Sequence, residues 1–335
     1  FMPDQTTRAI VQEAERRGIP CYRFDDRDRS VQLGQGVRRV GMIETVTTRT
    51  STLATAIARS KSRTRRLLAR LGLPTTRQHV VQTEDEAVRA AQTIGYPVVV
   101  KPEDCGKSIG VSVGLTCPEA VVNAFRKARK EGLAVLVENV VPGGDYRLLV
   151  VGGRLVAAAQ RVAATVIGDG KRTVAALVEE LNRDPRRAKG FTNLLVRIEL
   201  DDDAEQMLAK AGLTPTSVPA PGVHVVLRSA SSVSAGGTAI DVTRIVHPDN
   251  RIAAERITRV AGLDFAGVDF VMPDIARSWR EVGGAIIEIN SSPGLRPHWL
   301  AEGSPDVVAA IVDEMMPPPS EGRIPIAAVT VGQKG

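Results

Sequence analysis

Aromatic side chains are scarce in this chain: two Trp, three Tyr and six Phe make up 3% of 335 residues. A platform that stacks the bases of single-stranded nucleic acid is therefore poorly supported, although a phosphate-binding surface needs no aromatics and is not excluded. Lysine is scarce as well, nine residues against 35 arginines, so a lysine inside a motif stands out from the background. The three cysteines, Cys21, Cys105 and Cys117, form no C-x-x-C pair and leave an odd count, which points to a reducing compartment. No apolar run approaches the roughly 20 residues of a membrane span, and the first residues carry no signal-peptide pattern. The expectation is a soluble, cytoplasmic protein with no membrane partner.

What is present is an apolar fraction of 43%, with 24% charged residues and a formal charge of +6. That length and composition suffice for one large domain or two to three ordinary ones. The positive excess is local: residues 1–78 hold 15 Arg and one Lys against seven acids, a net +9, and the remainder comes to −3.

Periodicity predicts a helix over 4–17 that stops at Gly18, and an Arg-rich helix from about Leu53 to Leu71 that ends at Gly72 and Pro74. A strand at 79–82 leads into a helix over 84–94, where Thr83 and Glu86 have the spacing of a capping box. Val98–Lys101 reads as a short buried strand, and a helix over 118–131 leads to a strand at 134–137. Further on, strands over 146–151 and 154–161 flank the hairpin signal Gly152-Gly153. Helices are expected over 173–182, 249–261 and 305–316, with buried strands at 267–271 and 285–289. This mixture argues for an α+β or α/β protein.

Three constellations carry chemistry. The first is Lys101-Pro102-Glu103-Asp104-Cys105-Gly106-Lys107-Ser108-Ile109-Gly110. A lysine at the end of a buried strand is held rigidly, and glycines four residues apart let backbone N–H groups approach phosphate oxygens. It is not a Walker A loop, and read alone it is as readily a solvated turn. The second is Asp269 with Glu288 and Asn290. Glu288 and Asn290 alternate onto one strand face, and Asp269 joins them if the two strands pair. Three hard oxygen ligands suit Mg²⁺; the other reading is a wet sheet face, which the apolar flanks and the cost of a lone buried carboxylate oppose. The third is Leu136–Val140 followed by Asp145-Tyr146-Arg147, a strand end whose backbone could meet an adenine edge. By itself it is an ordinary strand end.

Taken in order, these pieces resemble the ATP-grasp superfamily, and most of all the ATP-grasp domain of the cyanophycin synthetase family. The likeness runs from about Val31 to Val329. It includes Val31-Gln32-Leu33-Gly34-Gln35-Gly36, Gly95-Tyr96-Pro97-Val98-Val99-Val100-Lys101-Pro102 and Tyr146-Arg147-Leu148-Leu149-Val150-Val151. It continues through Gln160-Arg161-Val162-Ala163, Val166-Ile167-Gly168-Asp169-Gly170-Lys171, Gly236-Gly237-Thr238-Ala239-Ile240-Asp241 and Glu288-Ile289-Asn290-Ser291-Ser292-Pro293-Gly294. Gly106–Gly110 and Asn290–Gly294 are also similar to D-alanine–D-alanine ligase. Several positions depart from these patterns. The aspartate that often precedes the first grasp lysine is Ser60, and the arginine that D-alanine ligases carry two residues before the first metal ligand is Gly267. Ile324–Thr330 looks like the start of a Mur-ligase-like domain, but Val331–Gly335 follows without its Gly-rich P-loop. A stand-alone ligase with a vestigial tail is the expectation.

The resemblance implies an ATP-grasp fold, two α/β subdomains gripping ATP between antiparallel sheets after a short flanking segment. The expected divisions are 1–60, 61–140, 141–316 and a Pro-rich tail at 317–335. It also implies an ATP-dependent carboxylate–amine ligase: a substrate carboxylate takes the γ-phosphoryl group, and an amine displaces phosphate from the acyl phosphate. ATP and Mg²⁺, two ions, are the implied cofactors, and amino acids or short peptides the substrates. Lys61 and Lys101 would hold the α and β phosphates, and the loop with Gly106, Lys107, Ser108 and Gly110 would close over the γ-phosphate. Glu138 would read adenine, Asp145 the ribose, and Asp269, Glu288 and Asn290 would hold the metal. Arg147, Arg161 and Arg296 are the candidates for carboxylate or acyl-phosphate oxygens, Arg296 as a stand-in for the arginine missing at Gly267. Lys171, Ser292 and Gly294 are the substrate candidates. His298, inside the matched run, is as readily a packing residue. The alternatives are a dipeptide-type ligase, resembling glutathione synthetase or D-alanine–D-alanine ligase, in place of a polymer extender, and a non-catalytic nucleotide-binding module. Nucleic acid is not an expected partner, and the sequence leaves a homo-oligomer open.

Overall fold

The structure, a computed structural model, describes residues 4–24, 29–104, 109–188, 193–228, 231 and 233–325. Its described residues group into two compact units, 4–50 with 306–325, and 51–305. The sequence treats the first segment and the Pro-rich tail as separate pieces. In the structure residues from both ends fold together, a long-range association that local periodicity does not reveal.

In the first unit Asp4 caps the helix Gln5–Arg16 by accepting from the backbone N–H of Thr6 at 2.9 Å and of Thr7 at 3.1 Å. Four short antiparallel strands follow in chain order: Cys21–Arg23, Ser30–Leu33, Val40–Ile43 and Val46–Thr47. Arg17 pairs with Asp313, and Arg49 donates to the carbonyls of Glu314 and Met315 at 3.0 Å each, which ties the helix Val307–Met315 to this sheet.

The second unit opens with two helices, Thr52–Arg59 and Lys61–Arg70, where periodicity predicts one. The break is Ser60, whose backbone is extended and whose Oγ accepts from the Arg63 N–H at 3.2 Å. Lys61 therefore stands at the first position of a helix.

A five-stranded antiparallel sheet runs in the order Thr238–Asp241, Arg154–Val162, Gly144–Val151, Phe265–Met272, Ala285–Asn290. One face buries Leu148, Val150, Val268, Phe270 and Ile289 against Ala253, Ala254 and Ile257 of the helix Pro248–Ala261. Ala54, Ala58, Leu68 and Leu73 belong to the same core. The Lys61 helix thus packs with this sheet, and the sequence division between 60 and 61 falls between two helices that share one core.

A four-stranded sheet, Gln78–Val81, Val135–Asn139, Val98–Pro102, Ser112–Leu115, has its own core. Val98, Val100, Val135 and Val137 pack there against Val121 and Phe125 of the helix Pro118–Glu131. Strand alternation then turns Lys101 and Glu138 to the opposite face. Glu86 receives the Thr83 cap at 3.2 Å, but its own carboxylate accepts from the Gln82 N–H at 2.7 Å. A third apolar cluster, with Val166, Leu177, Ile198, Leu208 and Leu227, lies in the segment that follows the strand Arg154–Val162. No helix among the described residues is long and apolar enough to cross a membrane.

Candidate active site

The face of the five-stranded sheet turned away from its core is polar, and its order follows from register. Arg147 opposes Asp269, Asp269 opposes Glu288, Gly267 opposes Asn290, and Asp145 opposes Arg161. Arg147 Nε donates to Asp269 Oδ1 at 2.5 Å and its Nη2 to Oδ2 at 3.2 Å. Arg161 Nη2 lies 2.6 Å from Asp145 Oδ1 and 3.2 Å from Asp269 Oδ2. Burial alone would raise the Asp269 carboxyl, but the two guanidiniums outweigh it and hold the group below the usual carboxylate range. Burial raises Asp145, with Arg161 opposing and Asp269 adding to the rise. Burial and then the Asp269 charge raise Glu288. Burial would lower the Arg161 guanidinium, and Asp269 with Asp145 reverses this, so it is held protonated.

The other wall is the four-stranded sheet. Lys101 Nζ donates to Glu138 Oε1 at 2.5 Å with both side chains under a tenth exposed, and Thr76 Oγ1 donates to Glu138 Oε2 at 3.1 Å. Both carboxylate oxygens of Glu138 are thus engaged. Lys61 Nζ donates to the Glu103 carbonyl at 3.1 Å. The two walls enclose a cavity of about 520 Å³ lined by Lys61, Lys101, Glu138, Asp145, Arg147, Arg161, Asp269, Glu288, Asn290, Gly294 and Arg296, together with Val99, Val111, Val113, Asn139 and Val140.

The donor set can be tested against Mg²⁺. Glu288 lines the cavity with no hydrogen bond or ion pair among the described residues; Lys61, Arg147 and Lys101 only partly offset its burial and the Asp269 charge, so a cation would satisfy it further. Asn290 donates its amide N–H to the Gly267 carbonyl at 3.4 Å and so keeps its amide oxygen as a ligand. No group of three His, Cys, Asp or Glu side chains among the described residues could hold a metal, so the set is two carboxylates and an amide. That small, hard set fits an ion that keeps water and phosphate oxygens as its other ligands.

Most sequence-derived candidates converge here, but several are placed otherwise. Asp145 pairs with Arg161 beside Asp269. Lys171 is exposed and absent from the cavity wall; its N–H donates to Asp169 Oδ1 at 2.9 Å, the hydrogen bond of an Asp-Gly turn. Ser292 is not part of the cavity wall either. Gly110, with φ +69°, packs where a Cβ would lie 2.9 Å from Pro102 Cγ. Gly106, Lys107 and Ser108 lie outside the described residues. Arg296 lines the cavity and donates to the Asn193 carbonyl, yet it does not fill the place above Gly267. Arg147 does, since a Cβ on Gly267 would come within 3.1 Å of its Cδ and Nη1. The neighbouring strand supplies the guanidinium that the sequence lacks two residues before Asp269. The sequence did not single out Thr76 and gave Glu103, inside the first constellation, no role of its own, because each acts through a partner about 40 or more residues away. His298 is buried, with neither ring nitrogen hydrogen-bonded among the described residues, and burial pushes it down to about 3, helped by the Arg147 charge.

Comparison with known proteins agrees with this geometry. Residues 52–139 match the ATP-grasp domain family. The cyanophycin synthetase of Nostoc sp. (strain PCC 7120) is 42% identical over 328 residues, covering 97% of this chain and 36% of that protein. The glutathione biosynthesis bifunctional protein GshAB of Clostridium perfringens is 30% identical over 298 residues, covering 88% of this chain and 38% of that one. The chain thus spans little more than a third of these relatives' length. The crystal structure of a bifunctional glutathione synthetase from Pasteurella multocida superimposes with a TM-score of 0.70 at 27% identity, covering 93% of this chain and 43% of that one. With its paired antiparallel sheets and the matched domain, the chain belongs to the ATP-grasp superfamily.

Proposed function

We propose that the cavity is the site of an ATP-dependent carboxylate–amine ligase that acts on an amino acid or short peptide. The observation that carries this reading is the sheet face on which Asp269, Glu288 and Asn290 adjoin Arg147 and Arg161, in one cavity with Lys61 and Lys101. A substrate carboxylate oxygen attacks the γ-phosphorus, the β–γ bridging bond breaks, and ADP leaves. An amine then attacks the acyl carbon and expels phosphate, leaving an amide. Such phosphoryl transfer asks the protein for positioning and charge rather than covalent chemistry. Lys61 and Lys101 neutralise phosphates, and Arg147 and Arg161, fixed by Asp269, meet the charge that develops on the transferred group. Mg²⁺ held by Asp269, Glu288 and Asn290 would supply further charge to the phosphate oxygens.

The test is release of ADP and phosphate from ATP across pairs of candidate amino acids and peptides. ATP binding without ADP formation over the whole panel would sink the ligase reading in favour of a nucleotide-binding module. Within the ligase reading, the names of the two sequence relatives favour different products. Mass spectrometry separates a single new bond, as a dipeptide-type ligase would make, from a ladder of extensions.

A further inference from the structure

The two lysines of the proposed nucleotide site come from different cores. Lys61 begins a helix whose Leu68 packs with the five-stranded sheet, and Lys101 ends a strand of the four-stranded sheet. Among the described residues, Glu103 connects the two lysines directly. Glu103, two residues after Lys101, is fixed to its own sheet by its N–H, which donates to the Ala134 carbonyl at 2.9 Å. Its carboxylate reaches across: Oε1 accepts from Ser60 Oγ at 3.0 Å and from Ser62 Oγ, and its backbone carbonyl accepts from Lys61 Nζ at 3.1 Å. Ser62 is buried, and the two serine hydroxyls lie 3.2 Å apart. Three consecutive residues at the start of one helix thus converge on a single residue of the other sheet.

We propose that Glu103 is a latch that positions Lys61 against Lys101 for the nucleotide, and that serine at position 60 is its matched partner. The proposal rests on the nucleotide-site reading above. Position 60 is where the ATP-grasp resemblance leads one to expect aspartate. An aspartate there would set a second carboxylate against that of Glu103, whereas a serine hydroxyl donates to it. Like charges at that distance repel, so two carboxylates, one at each position, exclude one another. The departure at Ser60 and the presence of Glu103 then have one explanation. Glu103 is a positioning residue; it acts through Lys61.

The experiment measures ATP affinity by calorimetry for the whole chain and for Glu103→Ala, Ser60→Asp, Glu103→Gln and the Ser60→Asp/Glu103→Gln double variant, with steady-state kinetics alongside. Hydrogen bonds to a charged group are commonly worth about ten-fold in an equilibrium constant. Glu103→Ala and Ser60→Asp should each weaken ATP about ten-fold, with KM for ATP rising more than kcat falls. Glu103→Gln alone keeps an acceptor for both serines and should bind nearly as the wild type does. In the double variant the introduced amide donates to the introduced carboxylate, so most of the affinity lost in Ser60→Asp should return. Unchanged affinity in Glu103→Ala, or no recovery in the double variant, overturns the latch. A wild-type protein that binds no ATP overturns the nucleotide-site reading itself, and the latch with it.

Discussion

The two walls of the cavity both bury opposite charges, but they pair them differently. On the four-stranded sheet Lys101 and Glu138 pair one to one. On the five-stranded sheet Arg147 and Arg161 share two carboxylates, Asp145 and Asp269, and among the described residues Glu288 has no ion pair. The second wall therefore carries an acid that neither arginine pairs with. The difference also separates two kinds of construction. A one-to-one buried pair is costly to break from either side, whereas a shared network keeps a partner for each group when one member is lost.

The largest effect should fall on the one-to-one pair. Lys101→Met strands the Glu138 carboxylate in a buried place, and losing one partner of such a pair costs about 3–5 kcal/mol. Urea unfolding should register that loss, and Lys101→Met/Glu138→Leu should recover much of it. A double variant no more stable than Lys101→Met would break the distinction between the walls. Next in size is Glu288→Ala, which removes the excess acid. Turnover should fall ~10²–10³-fold, as for loss of one group that meets transition-state charge, while the unfolding midpoint stays close to wild type. Near-normal ADP release would refute the metal assignment.

Which parts of this were legible in the sequence depended on how local the signal is. Glu288 and Asn290 could be placed on one face from strand alternation, and Asp269 from its apolar flanks. Their meeting needed the register of two strands that the charged connection 273–284 separates, and this the sequence could only condition on pairing. The break at Ser60 was hidden because helical periodicity runs through it. The Glu138 carboxylate looked like a nucleotide contact because nothing within ten residues announces Lys101 or Thr76 as its partners. Arg147 standing over Gly267 was beyond reach for the same reason: the vacancy is in one strand and the filler in the next. Lys171 misled because Gly168-Asp169-Gly170 belongs to a matched motif, while its geometry is that of a turn.

The shared network predicts a milder response. Asp145→Asn takes one carboxylate from Arg161, which keeps Asp269 at 3.2 Å. The cost should be roughly that of one hydrogen bond to a charged group, about 1.5–3 kcal/mol, and below that of Lys101→Met in the same urea assay. A loss equal to or above that of Lys101→Met would mean the face is not redundant.

The smallest effect concerns His298, which is buried beside this face and feels the Arg147 charge. Its folded-state value of about 3 lies below the usual 6.5, so the unfolded chain takes up the proton first. The stability tied to neutral His298 is therefore whole above pH 6.5 and is lost as the pH falls toward 3. By pH 5 the loss should be roughly 2 kcal/mol. His298→Leu cannot take up that proton, so its urea midpoint should fall less than wild type's between about pH 7 and about pH 5. Parallel curves for the two proteins would show that protonation of His298 is not resisted there. Burial, with the Arg147 charge behind it, would then not be what holds His298 neutral.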